Sequence, residues 1–122
     1  MAVAIVILVL FFGYSIFRYY RVRMYVNTLT EEQFTEGYRK AQLIDVREPQ
    51  EFKNGHILGA RNIPVTQIKQ RLVELRDDKP VYLYCQGQSR SVRAANILRK
   101  KGYKDINILQ GGFKKWAGRV KS

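Results

Sequence analysis

The chain predicts an α/β domain, a parallel sheet covered by helices on both faces, with one transmembrane helix in front of it. Two observations carry this. Short β-rich apolar runs alternate with helical patterns along residues 28–118, which is the signature of parallel strands joined by crossover helices. Ahead of them, residues 2–17, "AVAIVILVLFFGYSIF", hold no charge at all.

The apolar run comes first. A bilayer core takes about 17–25 helical residues, and the run reaches that range if it extends through Tyr19 and Tyr20, with Arg18 snorkelling to the interface. Membrane contact is therefore expected over residues 2–20. A cleaved secretory signal wants a basic n-region and a small-residue cleavage site, and neither is present. A buried core helix of this length carries a polar stripe, and this one has none. Residues 1–23 read as an anchor with a basic juxtamembrane segment, and residues 24–122 as the domain. Arg18, Arg21 and Arg23 follow the run while no Lys or Arg precedes it. The positive-inside rule then expects a single-pass protein of the cell membrane, N-terminus outside and domain cytoplasmic. A lone cysteine agrees, since a reduced thiol persists there and no disulfide framework is available. Gly13 and Ser15 lie at the wrong spacing for a small-xxx-small motif, so the sequence does not specify an oligomer.

The domain elements follow in order. "RVRMYVNTLT" reads as a connector. Thr30 and Gln33 make a capping box, and Leu29 with Phe34 a hydrophobic staple, so a helix should start there and run to about Tyr38. "AQLIDVR" is a short buried strand ending in Asp45 and Arg47. Pro49 suits the first turn of a short helix. "HILGARNIP" gives another strand, stopped by Pro64. Ile68, Leu72 and Leu75 lie at helical spacing over residues 66–75, with Thr66 as cap. "RDDKP" is a turn, and "VYLYC" a strand that runs straight into the thiol. From Ser91 a helix is expected, with Val92, Ala95, Ile97 and Leu98 on one side and Gly102 at its end. "INIL" is the last strand, after which Gly111-Gly112 turns the chain into a short helix carrying Phe113 and Trp116.

The formal charge is +12. Basic residues gather at Arg99, Lys100, Lys101 and Lys104 and again at Lys114, Lys115, Arg119 and Lys121. Such a surface favours water and anionic lipid headgroups. No nucleic-acid-binding motif accompanies the charge, so nucleic acid is not the expected partner.

The chemistry gathers at Cys85, the only cysteine, in "YCQGQSRS". In parallel sheets, sites lie beyond the carboxyl ends of strands, where this thiol falls. Backbone N–H groups of residues 86–90 can curl toward the sulfur, and a following helix adds partial positive charge at its N-terminus. Both favour the thiolate, the nucleophilic form. Gly87 lets the backbone bend, Gln86, Gln88 and Ser89 supply chiefly backbone donors, and Arg90 adds a fixed cation with a fork of donors. The loop reads as an anion cradle around a nucleophile. An inert buried cysteine is the plain alternative. A metal centre lacks ligands, since there is one cysteine and one histidine. That histidine, His56, is better suited to bonding a backbone group than to serving as a protease base.

"LIDVRE" (43–48), "FKNGHILGARNIP" (52–64), "VYLYCQGQSRS" (81–91) and "ILQGGFKKW" (108–116) resemble, in order and spacing, the rhodanese family of sulfurtransferases. The resemblance covers about residues 28 to 118 and is similar to small membrane-tethered bacterial members. It implies a parallel sheet of about five strands, and a Cys85 that accepts sulfane sulfur as a persulfide and passes it to a thiol or cyanide, with no metal or organic cofactor. Thiosulfate or a persulfide, small or protein-borne, is the implied donor. Cys85 to Arg90 keeps the six-residue loop of sulfur transfer, one residue shorter than in related phosphatases. One departure is that many active members have glycine three residues after the cysteine, where Gln88 stands here and Gly87 precedes it. Asp45 with Arg47 is expected as a structural ion pair at the rim, Arg61 as a further rim residue, and Trp116 as a core anchor. The rival readings are a non-catalytic binding module that recruits a partner to the membrane, and a thiol redox sensor relying on a partner's thiol.

Overall fold

The computed structural model follows the backbone of all 122 residues and describes the side chains of residues 1–18 and 26–122. Helix α1 (Ala2–Tyr25) is one uninterrupted helix of 24 residues. It runs directly into strand β1 (Val26–Leu29), which the sequence disguised as a connector. A polar pair, Asn27 and Thr28, interrupts its apolar ends, because an edge strand buries only part of each face. The large apolar side chains of residues 3–17 are exposed all round α1. Among the described residues no helix is long and apolar enough to cross a membrane. The extension of the span through Tyr19 and Tyr20, and the flanking Arg21 and Arg23, lie outside the described residues.

The remaining elements are α2 (Glu31–Gly37), β2 (Gln42–Asp45), α3 (Pro49–Lys53), β3 (His56–Ile57), β4 (Arg61–Asn62), β5 (Val81–Tyr84), α4 (Ser89–Lys100), β6 (Ile106–Leu109) and β7 (Val120–Lys121). Five strands form one sheet in the order β1-β6-β5-β2-β4, and every pair in it is parallel. The expected α/β architecture is present. Period-two alternation divides the sheet into two faces. Val81, Leu83 and Cys85 join Ile106, Ile108 and Ile44 on the side covered by α4. Tyr84, Leu43 and Leu109 meet Phe34 and Tyr38 on the side covered by α2. Trp116 packs edge-on against Phe34 and Tyr38, at 6.1 and 5.9 Å between ring centroids, as the anchor it was expected to be.

Local signals explain where most helices begin. Thr30 Oγ1 accepts from the Gln33 N–H at 3.3 Å and Gln33 Oε1 accepts from the Thr30 N–H at 3.0 Å, the full capping box. Pro49 opens α3 as its first residue. Gly102 closes α4 at φ +96°, a conformation that favours glycine.

Three expectations need correcting. Residues 66–75 do not form one helix but two 3₁₀ turns, Val65–Gln67 and Leu72–Glu74. The 3₁₀ spiral rises about 2.0 Å per residue against 1.5 Å in an α-helix, so the same residues reach farther while Ile68 and Leu75 still enter the core. "HILGARNIP" is not one strand. Gly59, at φ +92°, turns the chain between β3, which pairs antiparallel with β7, and β4, the edge of the main sheet. Helix α4 begins at Ser89 rather than Ser91, and its buried face is Ser91, Ala94, Ala95 and Leu98, leaving Val92 exposed. Small residues set that face because they allow the helix to lie close on the sheet.

Tyr84 links the two sheets. Its buried hydroxyl accepts from the Ile57 N–H at 3.0 Å. Burial holds the phenol well above its ordinary titration range. Tyr84→Phe leaves that buried N–H unpaired, at a cost of about 1–3 kcal/mol. The expected result is a lower urea midpoint with an unchanged slope.

Candidate active site

All five strands of the parallel sheet bring their carboxyl ends to one pole, and the loop after β5 lies there. Cys85 is 1% exposed, so the thiol is set beneath the loop and not on the surface. It continues the inward row of Val81 and Leu83, which places its side chain among the core residues under α4. Gln86 and Gly87 follow, Gln88 is the N-cap of α4, and Ser89 and Arg90 are its first two residues.

A second loop holds this one from outside. The Cys85 carbonyl accepts from the Phe113 N–H at 2.8 Å, and the Gln86 carbonyl from the Lys114 N–H at 3.3 Å. Gly112 comes so close that a Cβ there would meet the carbonyl oxygens of Gly87, Gln86 and Cys85, the last at 2.6 Å. Its φ of +68° excludes other residues a second time. In a trans peptide the C=O and N–H point in opposite directions. With the carbonyls of residues 85, 86 and 87 turned to Gly112, the N–H groups of residues 86, 87 and 88 are turned the other way. Among the described residues, no hydrogen bond within the chain occupies the N–H groups of residues 86–91. They are available to an anion.

Arg47 braces the loop from the other side. It is 2% exposed and bonds both carboxylate oxygens of Asp45, with Nη2 to Oδ2 at 2.7 Å. Nη2 also donates to the Gly55 carbonyl at 2.6 Å, and Nη1 to Gln86 Oε1 at 3.2 Å. The guanidinium lies 4.3 Å from the Phe113 ring centroid, a cation–π contact. The buried charge is thus paired and its donors are used, as burial requires. The expected structural ion pair is present, and it reaches the loop through the Gln86 side chain.

Among the described residues, Arg90 pairs with Glu51 of α3. Its two terminal nitrogens bond the two carboxylate oxygens at 2.6 and 3.0 Å, the bidentate geometry in which arginine binds carboxylates best. The hydrogen bond from Arg90 holds the Glu51 carboxyl at about 2, and the same bond raises Arg90. An anion entering the loop competes with Glu51 for these donors.

The structure therefore gathers Cys85, Gln86, Gly87, Gln88, Ser89, Arg90, Asp45 and Arg47 at one pole. Arg61 is elsewhere: it bonds the Glu74 carbonyl at 3.4 Å on the sheet edge, and among the described residues none of its contacts runs to the loop. His56 Nδ1 pairs with the Phe52 carbonyl at 2.8 Å, and its ring stacks on Phe52. Gly87 uses no positive φ and a Cβ there meets nothing. The glycine requirement falls on Gly112, so the offset of Gly87 within the loop does not disturb its shape. Glu51 and Gly112 were not foreseen as site residues. The signal for Glu51 was its position just after a strand end at the same pole.

Residues 29–119 match the model of the rhodanese-like domain. The chain is 58% identical over 120 residues to the uncharacterized protein YqhL of Bacillus subtilis, covering 98% of this chain and 95% of that one. It is 34% identical to the thiosulfate sulfurtransferase GlpE of Shewanella oneidensis, over 75% of this chain and 87% of the other. Among solved structures, a rhodanese-related protein of Thermoplasma volcanium superposes with a TM-score of 0.72 at 26% identity, covering 78% of this chain and 97% of its own.

Glu51 also makes a prediction about acid. Its carboxyl titrates lower folded than unfolded, so its contribution is complete above an unfolded value of about 4.3 and disappears as pH falls through about 2. The pair is partly exposed, which limits the effect to below about 1 kcal/mol. Glu51→Gln should be less stable than wild type by that amount at neutral pH. Unfolding curves of the two proteins should converge between about pH 4.3 and 2.

Proposed function

The chain belongs to the rhodanese-like family, and on that premise we propose that it is a membrane-anchored sulfurtransferase carrying sulfane sulfur as a persulfide on Cys85. One observation carries the reading. Cys85 stands at the carboxyl end of β5 beneath a loop whose N–H groups, from residue 86 to residue 91, have no hydrogen-bond partner among the described residues. That arrangement suits a sulfur that is anionic both before and after it receives a second sulfur. The similarity to a protein named thiosulfate sulfurtransferase supports the same chemistry.

The proposed reaction has two steps. The Cys85 thiolate attacks the outer sulfur of a donor such as thiosulfate. A Cys85 S–S bond forms, the donor's S–S bond breaks, and sulfite leaves with the electron pair. Charge is conserved, one thiolate becoming one persulfide anion. Arg90 and the loop N–H groups stabilise the leaving oxyanion, where fixed donors act most strongly. An acceptor thiolate or cyanide then attacks the outer sulfur of the persulfide, takes it, and returns Cys85 as thiolate. No proton transfer is needed in either step, so His56, engaged with Phe52, has no part in it.

The anchor belongs to the same proposal. A helix of 24 residues spans about 36 Å, and the large apolar side chains from Val3 to Ile16 stand exposed. A bilayer supplies that cover. Arginine at position 18, on the domain side of the run, favours a cytoplasmic domain and an outside N-terminus, where the single thiol also stays reduced.

Steady-state thiosulfate:cyanide sulfurtransfer by the full chain in detergent tests the activity. Cys85→Ser should abolish turnover, and Arg90→Gln should lower kcat by on the order of a hundredfold. Activity that survives in Cys85→Ser contradicts the proposal. Inactivity of folded wild type toward thiosulfate and small persulfides alike favours the recruitment reading.

A further inference from the structure

Parallel strands give the domain two poles, and the second pole is basic. The loop of Cys85 lies at the carboxyl ends of the strands, and α1 joins at the amino ends. In the register, Val26, the first residue of β1, lies beside Ile106, the first of β6. The turn between α4 and β6, residues 101–105, therefore lies beside the end of α1. A cavity of about 420 Å³ opens between them. Arg18, Arg99, Lys100 and Lys104 supply its cations, and Tyr14 and Phe17 of α1 its aromatic wall.

We propose that this cleft seats the phosphate of an anionic phospholipid, an inference that rests on the reading of α1 as a membrane anchor. Four observations converge on it. No carboxylate is among the described residues of the lining. None of the four cations takes part in an ion pair among the described residues. Among the described residues the Nε of Arg99 has no hydrogen-bond partner, so the bonding capacity of that guanidinium is not used up within the protein. The aromatic wall belongs to the same apolar helix, so one side of the cleft continues into the surface of residues 2–17. Cations at the end of a membrane helix stand at the depth of lipid phosphates, and an apolar wall suits the glycerol and acyl portion attached to such a phosphate. A free phosphate ion has no use for that wall.

The test uses the full chain. Insertion into phosphatidylcholine vesicles is read first, as resistance to extraction by alkaline carbonate. Native mass spectrometry of the detergent-solubilised chain, equilibrated with equimolar phosphatidylglycerol and phosphatidylcholine, then reads the retained lipid. Wild type should keep one phosphatidylglycerol in preference to phosphatidylcholine. Arg99→Gln/Lys104→Gln should weaken retention about five-fold for each cation removed, on the order of twenty-five-fold together. Lys53→Gln/Lys69→Gln, which removes two exposed cations elsewhere, should change it less than two-fold. Millimolar inorganic phosphate should not displace the lipid.

Equal retention of the two lipids, equal loss in both variants, or displacement by inorganic phosphate overturns the cleft and leaves the anchor standing. Extraction of the wild-type chain by carbonate overturns the anchor, and the cleft with it.

Discussion

The contact on which the candidate site depends is the approach of Gly112 to the carbonyls of Cys85, Gln86 and Gly87. A single Cβ at position 112 would overlap them, and its φ of +68° already favours glycine. Two hydrogen bonds, from the N–H groups of Phe113 and Lys114, fix the carbonyls of Cys85 and Gln86 in that direction. Peptide planarity does the rest. Once the carbonyls face the Gly111-Gly112 turn, the N–H groups of residues 86, 87 and 88 must face away from it. The polarity of the loop is therefore set by a segment some 25 residues farther along the chain.

Arg47 connects this constraint to the sheet. One guanidinium joins Asp45 at the end of β2, Gly55 before β3, Gln86 in the loop and the ring of Phe113 beside Gly112. Charge buried this completely stabilises little by itself, but removing one partner strands the other. The pair acts as a rigid support for the loop. Arg90 is different in kind. Its bond to Glu51 is partly exposed, so it holds the cation ready near the thiol without closing it off from a competing anion. The parallel topology then separates the two ends of the molecule, with the Cys85 loop at the carboxyl pole and the apolar helix at the amino pole.

Much of this was legible in the sequence because the signals were local. The capping box at Thr30 and Gln33, the strand alternation of "VYLYC" and the glycine after α4 each state their structure within a few residues. The errors arose where a longer-range relation decides. Ile68, Leu72 and Leu75 fit a helical period, yet the segment has to stretch between an edge strand and a central one and winds into 3₁₀ turns. Val26–Leu29 is a strand only because β6 is there to pair with it. In the candidate site, the cysteine, the arginine and the loop length were readable from one octapeptide. Gly87 drew attention by proximity, while the steric demand sits at Gly112, and Glu51 reaches Arg90 across 39 positions of sequence.

The central claim is that Cys85 holds a transferable sulfur, and the most direct measurement is the intact mass of the full chain after incubation with thiosulfate. The account predicts a gain of one sulfur atom on wild type, none on Cys85→Ser, and its complete removal by cyanide. An unmodified mass in folded protein whose Cys85 still reacts with an alkylating reagent would contradict it.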